Sequence, residues 1–155
     1  MIKVLMVCHG NICRSAAAEM VMRQLIAEAG LEGCIAVDSA AATREEIGND
    51  VYPPMKRVLQ AAGVPCVPHA ARQTTRADYD RYDYIIGMDQ ENMRDMRTLY
   101  GGDRAGKLSL LMAWASQPGR AVADPWYTHD FDGALRDIQQ GCQGLMAKLI
   151  KSTEE

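Results

Sequence analysis

Ile2-Lys3-Val4-Leu5-Met6-Val7-Cys8-His9-Gly10-Asn11-Ile12-Cys13-Arg14-Ser15 is the stretch on which the fold turns. Ile2 to Val7 is apolar except for Lys3, as expected of a parallel strand buried on both faces. From Arg14 to Ala29 the spacing becomes helical. Ala17, Met20, Val21, Leu25 and Ala29 keep one face apolar, and Gly30 stands where a helix is capped. A strand, a short glycine-containing loop and a helix, in that order, bring the unpaired N–H groups of the helix to the carboxyl end of the strand.

The alternation continues outward from there. Cys34 to Ser39 reads as a second strand, and Met55 to Ala62 as a helix with Pro53 and Pro54 near its start and Gly63 at its end. Tyr82 to Met88 reads as a third strand, and Gln90 to Leu99 as a helix ending before Gly101-Gly102. Lys107 to Leu111 is expected to be a strand followed by a turn, with entry into a short helix as the alternative. After a loop over Ser116 to Tyr127, a last helix is expected from about Asp130 to Lys151. Its apolar stripe is Phe131, Leu135, Ile138, Cys142, Leu145 and Leu149, spaced by threes and fours. The pattern predicts an α/β fold: a single three-layer domain over residues 1–155, with a four-stranded parallel sheet and helices on both faces. The ten methionines are expected to fill the core.

A net charge of −3 on 155 residues leaves no broad basic surface, so nucleic acid is not expected as a partner, and an anionic ligand would need a local site. No apolar run approaches the roughly 18 residues of a membrane span. The amino terminus lacks a signal-peptide pattern, so a cytoplasmic location is expected, without membrane association and as a monomer. Cys8, Cys13, Cys34, Cys66 and Cys142 then read as reduced thiols. His9, His69 and His129 show no zinc-ligand spacing.

The first loop has the make-up of an anion cradle. Backbone N–H groups curl around a dianion, the helix dipole adds positive potential, and a cysteine facing that bowl is expected to be held as the thiolate. Six residues on, Arg14 offers a planar fork for two phosphate oxygens, and Ser15 offers a hydroxyl to the sulfur. The bare spacing is weak, for Cys66-Val67-Pro68-His69-Ala70-Ala71-Arg72 repeats it. That second copy has no strand before it, no glycine, and Gln73 in place of a hydroxyl residue.

Cys8-His9-Gly10-Asn11-Ile12-Cys13-Arg14-Ser15 resembles the signature of the low-molecular-weight protein tyrosine phosphatases. Val37-Asp38-Ser39-Ala40, Tyr84-Ile85-Ile86-Gly87-Met88-Asp89 and Asp124-Pro125 resemble further segments of that family, in order along nearly the whole chain. The resemblance implies Cys8 as nucleophile, Arg14 as phosphate clamp and Asp124 as general acid and base. It implies phosphate binding by His9, Gly10, Asn11, Ile12, Cys13, Arg14 and Ser15, and loop support from Ser39, paired with Asn11, and from Asp89, oriented towards the arginine. For Ser39 and Asp89, capping of the following turns is the alternative reading. The implied substrate is a phosphotyrosine-containing protein, hydrolysed through a cysteinyl-phosphate with no cofactor and no metal. A reversible disulfide between Cys8 and Cys13, protecting Cys8 from over-oxidation, is also implied.

Ile12, Glu45, Trp126 and Tyr127 are the expected pocket residues. Ile12 favours phosphotyrosine, because similar phosphoarginine phosphatases carry threonine there. Glu45 departs from the family, which usually has an aromatic wall residue in its place. It predicts weaker binding of aryl phosphates or a preference for basic flanking residues. Two related chemistries fit less well. A thioredoxin-coupled arsenate reductase needs two further redox cysteines close in sequence, and Cys66 and Cys142 are far apart. A phosphocysteine carrier lacks both the arginine and the Asp-Pro acid.

Overall fold

The computed structural model describes residues 1–154. The elements run β1 (Ile2–Cys8), α1 (Arg14–Glu28), β2 (Ile35–Ala41), α2 (Pro53–Ala61), α3 (Asp78–Arg81), β3 (Tyr84–Gly87), α4 (Gln90–Tyr100), β4 (Leu108–Leu110), a 3₁₀ turn (Leu111–Ala115), α5 (Pro125–Thr128) and α6 (Phe131–Thr153). The strands form one parallel sheet in the order β2-β1-β3-β4. The fold is the expected α/β arrangement, with strand then turn at 108–115.

Alternation along β1 divides the core into two layers. Val4, Met6 and Cys8 face a cluster built with α1, α2 and α6, whereas Leu5 and Val7 face one built with Tyr79, Tyr82, Met93, Met96 and Tyr100 from the α3 and α4 side. Nine of the ten methionines, all but Met1, are buried, as core filler should be. The chain leaves β1 towards α1 on one face and leaves the neighbouring β3 towards α4 on the other. That divergence opens a crevice at the carboxyl ends of β1 and β3, where parallel sheets bind ligands.

Three details depart from the expectation. From Arg14 to Met22 every residue of α1 is buried, instead of one stripe. The helix lies between the sheet and α6, and Ala16, Ala17 and Ala18 let its neighbours come close. The four-residue helices α3 and α5 were not anticipated, since a single turn has no apolar period to read. Finally, Gly141 and Gly144 of α6 touch the 3₁₀ turn. A Cβ on Gly144 would fall inside the van der Waals envelope of the Trp114 carbonyl oxygen, and one on Gly141 would lie 2.5 Å from Leu111 Cγ. Backbone contact of this kind needs glycine.

Candidate active site

The loop between β1 and α1 is held open by its carbonyls. Cys8 O accepts from Ala42 N at 2.8 Å, His9 O from Thr43 N at 3.2 Å and Thr43 Oγ1 at 2.9 Å, and Ile12 O from Tyr52 N at 2.7 Å. The imidazole Nε2 of His69 lies 2.6 Å from Asn11 O and is its donor. In a trans peptide the N–H of the next residue points opposite to the carbonyl. Four outward carbonyls therefore turn the N–H groups of His9, Gly10, Ile12 and Cys13 inward. Among the described residues none of these four N–H groups has a protein acceptor. Beneath them lies the amino terminus of α1, uncapped by any side chain and free of acidic residues in its first turn. This is a cradle for an anion with at least four oxygen-seeking donors.

Asn11 makes the curl possible. Its φ of 60° is left-handed, a conformation that asparagine tolerates better than most residues. Its Nδ2 donates to Ser15 Oγ and to Ser39 Oγ, both at 2.9 Å, and its Oδ1 accepts from Arg72 N at 3.3 Å. Ser39 Oγ in turn donates to Glu19 Oε1 at 2.5 Å, and Glu19 Oε2 accepts from Arg23 Nε at 2.7 Å. A polar chain thus runs from the exposed Arg23 through the buried Glu19, Ser39 and Asn11 to Ser15, behind the loop. Cys8 Sγ, 3% exposed as a residue, lies 3.0 Å from Ser15 Oγ and accepts from Ser15 N at 3.4 Å. Cys13 is in the same loop as a free thiol. Burial, then the proximity of Cys8 and Asp124, pushes its pKa far above the usual thiol value.

Arg14, 2% exposed, is the hub. Its Nη1 donates to Asp89 Oδ2 at 2.7 Å and to Val122 O at 2.9 Å, and its Nη2 reaches Asp124 Oδ2 at 3.4 Å. Burial alone would lower its pKa. Cys8, the hydrogen bond to Asp89 and the charge of Asp124 outweigh it, so the guanidinium is more firmly charged than usual. Asp89 makes two contacts at once. Its Oδ1 caps α4 through Asn92 N at 2.8 Å, with Asn92 closing a reciprocal box, while Oδ2 holds Arg14. Asp124 likewise caps α5 through Trp126 N at 3.0 Å with its other oxygen towards Arg14.

These groups line one cleft of about 210 Å³, bounded by residues 8–14, Glu45, Glu46, Tyr52, Asp124, Trp126 and Tyr127. All four expected pocket residues are there. Glu45 Oε2 lies 2.9 Å from His9 Nε2, and Glu91 Oε1 of α4 lies 3.5 Å from His9 Nδ1. His9, Glu91 and Asp95 each bring a possible ligand atom within 4.8 Å of the others, a grouping that this imidazole–carboxylate pairing accounts for. Tyr52 was missed. Its ring centroid is 5.5 Å from that of Trp126 and 5.9 Å from that of Phe131, so Tyr52 and Trp126 form an aromatic part of the cleft lining. The clue was its place, an aromatic residue on the connection that follows the carboxyl end of β2. His69 was also missed, and it sits within Cys66 to Arg72. That segment holds no cradle of its own; it packs behind the first loop through His69 and Arg72 N.

The model of the family described as "Low molecular weight phosphotyrosine protein phosphatase" matches residues 3–155. The chain is 38% identical over 155 residues to the low molecular weight protein-tyrosine-phosphatase YfkJ of Bacillus subtilis, covering 99% of each. It is 39% identical over 149 residues to the human low molecular weight phosphotyrosine protein phosphatase, covering 94% of each. The crystal structure of YfkJ superposes with a TM-score of 0.93, over 98% of this chain and 96% of that one.

Proposed function

The chain belongs to the low molecular weight phosphotyrosine protein phosphatase family, and we propose that it hydrolyses phosphotyrosine in proteins, and small aryl phosphates, through a cysteinyl-phosphate on Cys8. The observation that carries this reading is the convergence of Cys8 Sγ, the inward N–H groups, Arg14 and Asp124 on one cleft.

The phosphate dianion sits in the cradle, bound by the loop N–H groups and Arg14. Cys8 thiolate attacks phosphorus in line; the S–P bond forms as the P–O bond to the phenol breaks, and Asp124 gives its proton to the departing oxygen. Water then attacks the cysteinyl-phosphate while the Asp124 carboxylate takes its proton. The S–P bond breaks, phosphate leaves, and Ser15 Oγ donates to the returning thiolate. Asn11, Ser39 and Asp89 hold the loop and Arg14 in place. The positive charge comes from the loop and Arg14, so neither step calls for a metal or cofactor. The reading includes a monomer acting in the cytoplasm, and among the described residues no helix is long and apolar enough to cross a membrane. A Cys8–Cys13 disulfide remains part of the proposal; regain of activity with thiol reductant after peroxide treatment tests it.

For specificity, Tyr52 and Trp126 offer a phenyl ring apolar contact, and Glu45 adds a carboxylate to the lining of the same cleft. Substrates with basic flanking residues should bind better than acidic ones. Glu45→Trp should lower KM for phosphotyrosine peptides, and an unchanged KM removes Glu45 from the account. The overall reading is tested by turnover of phosphotyrosine, phosphoarginine and aryl phosphates by wild type and Cys8→Ser. Turnover of phosphotyrosine and aryl phosphates is expected, and none of the three with Cys8→Ser. Activity in Cys8→Ser would sink it.

A further inference from the structure

Residues 116–124, which carry Asp124, form no helix or strand. Two anchors hold the segment where it approaches Asp124. The inner one is Val122, fully buried, whose N–H donates to Met88 O at 2.8 Å and whose carbonyl accepts from Arg14 Nη1 at 2.9 Å. The outer one is Arg120. Its Nη2 lies 3.0 Å from both carboxylate oxygens of Asp137 on α6, and its Nη1 donates to Gln117 Oε1 at 2.7 Å within the same loop. Asp137 is only 18% exposed. α6 packs along α1, the helix that begins with Arg14. Arg120 therefore measures the loop against the same layer that holds the phosphate clamp.

Nothing in the proposed chemistry uses Arg120 or Asp137, and neither lines the cleft. We propose that Arg120, through Asp137, is a positioning residue that holds Asp124 at proton-transfer distance from the leaving oxygen. This rests on Asp124 acting as the proton donor. Backbone bonds from Ser116 N to Ala113 O and from Gln117 N to Met112 O tie the start of the segment to the 3₁₀ turn; between there and Val122 the chain is held through Arg120, by its N–H to Gln117 O and its side chain to Asp137. This second anchor, two residues before Val122, fixes the direction in which the chain enters Asp124-Pro125.

Leaving groups separate positioning from mere structure. An electron-poor nitrophenolate departs with little help from an acid, whereas an unsubstituted phenolate needs a proton. Because kcat/KM reports events up to phenol departure, the ratio of kcat/KM for phenyl phosphate to that for p-nitrophenyl phosphate reads the donor's placement. Arg120→Ala should lower that ratio about fivefold, near the upper end for a part-exposed ion pair. Asp137→Asn, which keeps side-chain size and so the fold, should do the same. The double variant should be no worse than either single one. The charge-exchanged pair Arg120→Asp with Asp137→Arg should restore part of the ratio. Asp124→Asn serves as reference and should lower it further still. If Asp124→Asn lowers the ratio while Arg120→Ala and Asp137→Asn leave it at the wild-type value, the positioning role is wrong. If Asp124→Asn itself leaves the ratio unchanged, the proton-donor reading fails, and the positioning role with it.

Discussion

Replacing Asn11 with alanine removes the residue that both shapes and braces the phosphate loop, and the cost follows from its contacts. Two hydrogen bonds from Nδ2, to Ser15 and Ser39, are lost. Neither partner is left bare, since Ser15 Oγ keeps Cys8 Sγ and Ser39 Oγ keeps Glu19, so each bond costs about 1 kcal/mol, not the larger penalty of an orphaned group. The longer contact from Arg72 N adds less. Alanine at a φ of 60° adds about 1 kcal/mol more, because its Cβ crowds the backbone. Asn11→Ala should therefore unfold about 3 kcal/mol more easily than wild type, a large part of the stability of a single domain. Asn11→Gly loses the same hydrogen bonds without the φ penalty and should be about 1 kcal/mol milder. Urea unfolding followed by the fluorescence of Trp114 and Trp126 measures both. A loss below about 1 kcal/mol in Asn11→Ala, or a glycine variant weaker than the alanine one, would refute the reasoning.

Gly144→Ala places a methyl group against the Trp114 carbonyl, where only backbone can give way, so a loss of about 3 kcal/mol is expected in the same assay. Asp78, 1% exposed, is bound by Arg72, Thr74 Oγ1 and Thr75 N, and these partners overcome burial to hold its pKa below the ordinary 3.8. A carboxylate lowered in the folded state stabilises above its unfolded value and loses that contribution as pH falls through the folded one. Asp78→Asn should thus cost about 2 kcal/mol at neutral pH, less than a fully buried pair because Arg72 can re-solvate, and the gap from wild type should close below pH 3.8. Because burial keeps Cys13 protonated, limited alkylation with iodoacetate should label Cys8 well before Cys13, as peptide mass analysis would reveal.

What was legible followed from repetition. The apolar run of β1, the helix spacing after Arg14 and the stripe of α6 are periodic signals, and each lies within a few residues of its place. Single turns such as α3 and α5 carry no period; α5 is capped locally by Asp124 through Trp126 N, and Asp78, the first residue of α3, is bound by Arg72, Thr74 and Thr75 just before it. The site divides in the same way. Cys8 to Ser15 is one continuous loop, and the structure gathers Ser39, Asp89 and Asp124 around it as expected. Tyr52 and His69 join through the turn after β2 and an extended segment, neither of which advertises its destination. Cys66 to Arg72 is the sharpest lesson. Its spacing imitates the cradle, yet without a strand and helix to aim its amides it became a brace for the real one.

The most direct test of the chemistry is to stop the reaction in mid-turnover. Wild-type protein mixed with phosphotyrosine or an aryl phosphate, quenched rapidly in acid and digested, should yield a peptide from the amino-terminal loop carrying one phosphoryl group on the Cys8 sulfur, and Cys8→Ser should yield none. Turnover with the phosphoryl group on another residue, or with no phosphorylated protein at any quench time and phosphate still released by Cys8→Ser, would contradict the account.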